Sequence, residues 1–230
     1  MRLAGALARA EAWLVEPVEA REEPRLTVAA GLRPVVAVFG LARGCGATVV
    51  ARALAVELAG RDRDGAATVS VPDGASAPAL ASGAAGRLSK ALDDVPGCST
   101  RASGSLCLVA GADTLRLVDT ARHFAPLVLD EGGGPVGGVG ASAADHLVLI
   151  GSPAVDPALA AVAGACLRRL GTEPIVVLNR AREPGGWESS AAVVLPESRL
   201  AARLALAGRE PPGDLGATIA ELADLLGAPR

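Results

Sequence analysis

The chain has 230 residues, 50% hydrophobic and 20% charged, with a formal net charge of −3. That length fits one large α/β domain or two small ones, and the charge supplies no field that would draw in nucleic acid. With two Phe, two Trp and no Tyr, the stacking platforms of single-strand binders are missing too, so nucleic acid is not an expected partner.

The first 33 residues stand apart from the rest. Leu3, Leu7 and Leu14 share a helical face, and a charged, proline-marked stretch follows from Glu16 to Pro24. A helix packed on the domain, a dimer arm and a weak membrane-surface helix are all compatible with this pattern. Arg2 and Arg9 precede no signal-peptide core, because Glu11 interrupts it. No uninterrupted apolar run reaches the roughly 18 residues that span a bilayer. The expected location is the cytoplasm.

From Pro34 to the end at 230 the pattern is regular and predicts one domain. Short β-branched runs alternate with Ala/Leu stretches of helical period, as in βαβ units. Strands are expected at Val35–Phe39, Ala67–Val71, Ser105–Val109, Leu127–Asp130, His146–Gly151, Ile175–Asn179 and Ala192–Leu195. Helices are expected at Thr48–Gly60, Ala77–Asp93, Thr114–Phe124, Pro157–Leu170, Ser198–Gly208 and Leu215–Leu226. Runs such as Val35-Val36-Ala37-Val38-Phe39 are apolar throughout, which marks strands buried on both faces of a parallel sheet. Cys45, Cys98, Cys107 and Cys166 have no metal-ligand spacing; Cys107 and Cys166 lie in apolar stretches and are expected to be buried thiols. His123 and His146 have no partner at catalytic spacing and read as structural.

Chemistry enters at Gly40-Leu41-Ala42-Arg43-Gly44-Cys45-Gly46-Ala47-Thr48. A glycine-rich turn between an apolar strand and a helix lets backbone N–H groups converge on an anion, and the helix dipole adds to the attraction. A P-loop ends Gly-Lys-Ser/Thr. Gly46 and Thr48 stand in those places, but Ala47 occupies the lysine position. Thr48 reads either as a donor of its hydroxyl to Mg²⁺ or as a helix N-cap.

This loop resembles the deviant Lys-Gly-Gly-x-Gly-Lys-Thr phosphate loop of the MinD/ParA (SIMIBI) family of P-loop ATPases. Ala42 falls on that family's first lysine, Arg43 on its first glycine, and Gly44 and Cys45 on the next two positions. Ala125-Pro126-Leu127-Val128-Leu129-Asp130-Glu131-Gly132 resembles the apolar strand that ends in the Walker B Asp, and Gly134 falls on the switch glycine. Ala144-Asp145 followed by His146–Pro153, Asn179-Arg180, and Leu195-Pro196-Glu197 with Leu206–Arg209 match later family segments in order.

The resemblance implies a three-layer α/β/α P-loop NTPase fold with a mostly parallel sheet of about seven strands. It implies that ATP or ADP is bound by Arg43, Gly44, Cys45, Gly46, Ala47, Thr48, Val49, Asn179, Arg180, Pro196 and Glu197, with Mg²⁺ on Thr48 and Asp130. Asp73 stands either for an aspartate that orients attacking water or for a turn residue before Gly74. Arg43 is either a phosphate clamp, with a catalytic share, or a solvated loop residue.

Both family lysine positions hold alanine, Ala42 and Ala47. A charge-assisted hydrogen bond contributes about 1.5–3 kcal/mol, so nucleotide affinity should fall by about one to two decades. A cation on the transferring phosphoryl group is worth on the order of 10³–10⁵ in rate. Fast hydrolysis is not expected. The functional expectation is a homodimeric localisation or scaffold factor working with proteins of a localisation or secretion machinery, resembling the TadZ/CpaE branch of pilus assembly. A working ATPase in division-site or cargo positioning, and a ligase similar to dethiobiotin synthetase, are the alternatives. The tail Ile219–Leu226 is amphipathic but acidic, which opposes membrane cycling on anionic lipid.

Overall fold

The structure, a computed structural model, describes residues 31–71, 83–93, 95–111, 113–133 and 136–227. The expected N-terminal helix, the start of the helix expected at Ala77, Asp73 and Gly134 lie outside the described residues.

Among the described residues eight strands form one sheet: β1 (Val35–Gly40), β2 (Ala67–Ser70), β3 (Ser99–Ser103), β4 (Leu106–Ala110), β5 (Leu127–Asp130), β6 (His146–Gly151), β7 (Ile175–Asn179) and β8 (Val193–Leu195). Their order is β3-β4-β2-β5-β1-β6-β7-β8. All pairings are parallel except β3 with β4, an antiparallel edge hairpin turned at Gly104. Strand β3 was not expected: Ser-Thr-Arg-Ala-Ser is polar and alternates exposure, as an edge strand does.

The helices are α1 (Ala47–Arg61), α2 (Gly83–Leu92), α3 (Thr114–Ala121), α4 (Gly138–Ala143), α5 (Pro157–Arg168), α6 (Arg199–Leu206) and α7 (Gly213–Leu225). The short α4 was missed because Gly-Val-Gly-Ala-Ser-Ala has no strong helix signal. The strands alternate their side chains between two cores. Val36 and Val38 face a layer that contains α1, α6 and α7. Val35, Ala37 and Phe39 face a second layer with α2, α3, α4 and α5. Helix α1 is buried on nearly every side, so it lacks the polar stripe of an ordinary surface helix.

This layering corrects one expectation. Cys166 is exposed, because Ala163 and Leu167 take the inward positions of α5. Arg168 and Arg169 end α5 whereas Arg199 and Arg203 lie on α6, so the sheet stands between them and they form no common basic face. The acidic tail helix α7 buries Leu215, Ile219, Leu222 and Ala223 and is tied to α1 by Arg61, which pairs with Glu57 and Asp224 at 2.8 Å each. Among the described residues no helix is long and apolar enough to cross a membrane.

The amino end of β1 is fixed by a buried ion pair. Asp145 Oδ2 accepts from Val35 N at 2.9 Å and from Arg122 Nη2 at 3.2 Å. Next to it, burial holds the half-buried His146 below its ordinary 6.5, with Asp145 opposing the shift. A histidine kept neutral by folding contributes stability that is full above about pH 6.5 and is lost as pH falls through that value. His146→Gln should therefore flatten the decline of the urea midpoint between about pH 7 and 5. An unchanged slope would remove His146 from the acid response.

Candidate functional site

The site lies at the carboxyl end of β1, where the sheet's order reverses between β5 and β6. Open α/β sheets bind ligands at such switch points. The turn leaving β1 is anchored on both sides: Gly40 N donates to Gly132 O at 2.6 Å and Leu41 N to Ile150 O at 2.9 Å. It then closes on itself through Cys45 N to Ala42 O at 3.3 Å.

Gly46 is the N-cap of α1, with φ 93 in the left-handed region. A Cβ there would stand 2.2 Å from Asn179 Nδ2, so only glycine fits. Thr48 is thus the second helical residue and not the cap. The first N–H groups of α1 have no partners within the helix and point out at its start, which is the arrangement that binds anions. No acidic residue stands in that first turn.

Asp130, at the end of β5, is 5% exposed. Its Oδ1 accepts from Gly132 N at 3.1 Å, while Oδ2 is buried without a hydrogen-bond partner. Burial raises its pKa; the nearby Thr48 hydroxyl, the Gly132 N–H and the Arg52 charge work the other way. Thr48 is close enough to favour the carboxylate, yet its hydroxyl forms no bond of ordinary geometry with Oδ2. A hydroxyl and an unsatisfied carboxylate oxygen, both hard donors, are the pair that a Mg²⁺ ion takes at a phosphate site. The residues present therefore fit that ion.

Gly133 leans on the loop: a Cβ there would be 3.0 Å from Arg43 N and 3.1 Å from Ala42 O. The turn after β5 and the phosphate loop are thereby in direct contact. Arg43 itself is exposed, Ala47 is 5% exposed, and Cys45 is buried.

Asn179 closes the site from β7. It is 6% exposed; Nδ2 donates to Cys45 O at 2.8 Å and Oδ1 accepts from Arg180 N at 3.0 Å. Arg180 has φ 61, the one positive value outside glycine among the described residues, a conformation that costs roughly 1–2 kcal/mol. Beyond it an open cleft of about 490 Å³ is lined by Arg180, Ala181, Arg182, Glu197 and Arg199.

No protein-family model and no curated protein matches the chain. Solved structures do. A ParA family ATPase from Chlorobium tepidum TLS matches over 83% of this chain and 98% of its own, with TM-score 0.58 and 18% identity. The MinD cell division protein of Aquifex aeolicus matches over 86% and 98%, with TM-score 0.57 and 15% identity. The MinC:MinD cell division protein complex from the same organism matches over 86% and 97%, again with TM-score 0.57 and 15% identity. The fold is that of the ParA and MinD ATPases.

Within this ParA/MinD-type fold, the expected three layers and mostly parallel sheet are present, with one strand more than expected. The loop residues 43–49, Asp130, Asn179 and Arg180 lie at the carboxyl ends of strands β1, β5 and β7. Pro196 and Glu197 follow β8, and Glu197 reaches the cleft beside Arg180. One residue of the site was missed from the sequence. Arg52 on α1 is 5% exposed; its Nη1 donates to Leu206 O at 2.7 Å and its charge acts on Asp130. The signal was present, since an arginine in the apolar run Val49–Val56 needs an internal reason to be there.

Proposed function

We propose that the chain is a MinD/ParA-like nucleotide-binding protein, acting as a dimeric localisation or scaffold factor with little or no ATP hydrolysis. The observation that carries this reading is the anion-binding start of α1 beside Thr48 and the unpartnered Asp130 oxygen, in a loop with alanine at position 47. ATP or ADP would place its phosphates on the backbone N–H groups from Gly46 to Val49 at the start of α1. Mg²⁺, held by Thr48 and Asp130, would neutralise phosphate charge there. The same loop without its ammonium group can hold a nucleotide and lacks the cation that speeds phosphoryl transfer.

A homodimer follows from the two-fold arrangement that the resemblance implies, with the exposed Arg43 at the loop where a partner would approach. Pilus assembly of the TadZ/CpaE type is the system the reading favours, because binding without turnover suits a positional marker. Asp73 remains a proposed water-orienting residue.

Thermal unfolding with and without Mg-ATP tests the reading. Nucleotide at 100 times its Kd should add about 2.7 kcal/mol of stability, with negligible phosphate release. No shift at millimolar nucleotide would end it. Brisk phosphate release would replace it with a working ATPase.

A further inference from the structure

The phosphate loop has no lysine, yet a guanidinium stands beside it. Arg180 Nη2 lies 3.6 Å from the position that a Cβ on Gly46 would take. The arginine is tied to the loop by two hydrogen bonds in series, from its own N–H to Asn179 Oδ1 and from Asn179 Nδ2 to Cys45 O. Its left-handed backbone turns the chain at the end of β7, next to the start of α1. Among the described residues its guanidinium has no hydrogen-bond or ion-pair partner. An exposed, unpaired guanidinium held over a helix N-terminus has a free fork of donors, and such forks bind phosphate oxygens.

A second observation points to a ligand at the same place. The Asp130 carboxylate, 5% exposed, keeps Oδ2 unpartnered beside Thr48. A buried acceptor of that kind is satisfied when a cation arrives together with its phosphates. The other arginines are less well placed. The Arg43 backbone nitrogen faces Gly133 in the turn after β5, and Arg182 and Arg199 line the cleft beyond Arg180.

We infer that Arg180 supplies, from the end of β7, the positive charge for nucleotide phosphates that position 47 lacks. The cation has moved from the helix start to the neighbouring strand. This rests on the nucleotide-binding reading and adds the residue that makes it electrostatically feasible. It also separates Arg180 from Asn179: the amide braces the loop, and the guanidinium meets the ligand.

Calorimetric titration of Mg-ATP into the full chain tests this with Arg180→Gly and Ala47→Lys, singly and together. Glycine is the residue a φ of 61 favours, so R180G should unfold at the wild-type temperature or above while losing the guanidinium. The expected result is affinity about 10- to 100-fold weaker in R180G. Ala47→Lys should recover most of that loss in the R180G background and add less in the wild type, because the two charges serve the same phosphates. Affinity within twofold of wild type in R180G overturns the inference, and so does a loss that Ala47→Lys fails to recover. A wild-type chain that binds no Mg-ATP removes the nucleotide reading and this inference together, an outcome distinct from a flat R180G.

Discussion

Asp145→Ala should lower the unfolding free energy by about 3–5 kcal/mol, the range for removing one partner of a buried ion pair. The residues involved are well enclosed: the Arg122 side chain is 3% exposed and that of Asp145 9%. Removing the carboxylate leaves the Arg122 guanidinium buried without a counter-charge, and its Nε has no partner to begin with. It also strands the Val35 N–H, the first donor of the central strand. Asp145→Asn should cost less, because an amide oxygen can still accept from Val35 N although the charge is gone. Urea denaturation measures both, and a fall in midpoint at constant m would place the loss in the folded state. The pair lies at the opposite end of β1 from the phosphate loop, so nucleotide affinity per folded molecule should not change. A loss for Asp145→Ala below about 1 kcal/mol, the ordinary worth of an exposed pair, would show that the pair is solvated.

That pair illustrates what the sequence made legible. Ala144-Asp145 was recognised as a family segment at the start of β6, but nothing local identifies its partner, which lies 23 residues earlier at the end of α3. The central strands were legible because burial on both faces leaves no choice but apolar residues, and β1, β5, β6 and β7 each appear where the runs of Val, Leu and Ile stand. Strand β3 was not legible, because an edge strand with one partner carries little hydrophobic signal. Likewise the loop was found from Gly46 and Thr48, whose types follow from backbone geometry and ion chemistry. The closeness of Arg180 to Gly46 depends on how β7 lines up beside β1 and β6, a tertiary fact with no local sequence signature. Cys166 failed for the opposite reason: a run of small apolar residues in α5 conceals which side of the helix faces solvent.

Asp130→Asn should change stability and ligand response in opposite directions. Folding raises the Asp130 pKa because burial outweighs the help from Thr48, Gly132 and Arg52, and that balance already includes the attraction of Arg52. A carboxyl whose pKa is raised in the folded state binds protons more readily there than in the unfolded chain, so its charged form opposes folding above the ordinary Asp range. Asparagine keeps the shape and an acceptor for the Gly132 N–H, and removes the buried charge. The ligand-free variant should thus be more stable than wild type at neutral pH, by about 1 kcal/mol, because the buried charge is gone while the amide nitrogen in place of Oδ2 still lacks a partner. The advantage should shrink as pH falls toward the ordinary Asp value, where the wild-type carboxyl takes up its proton. The roughly 2.7 kcal/mol gained from saturating Mg-ATP should meanwhile largely disappear, because an amide is a poor ligand for Mg²⁺. Thermal unfolding of both proteins, with and without Mg-ATP, reads the two effects in one experiment. A variant that is less stable than wild type and still responds to Mg-ATP would mean that Asp130 is a structural partner of Arg52, with the ion held elsewhere.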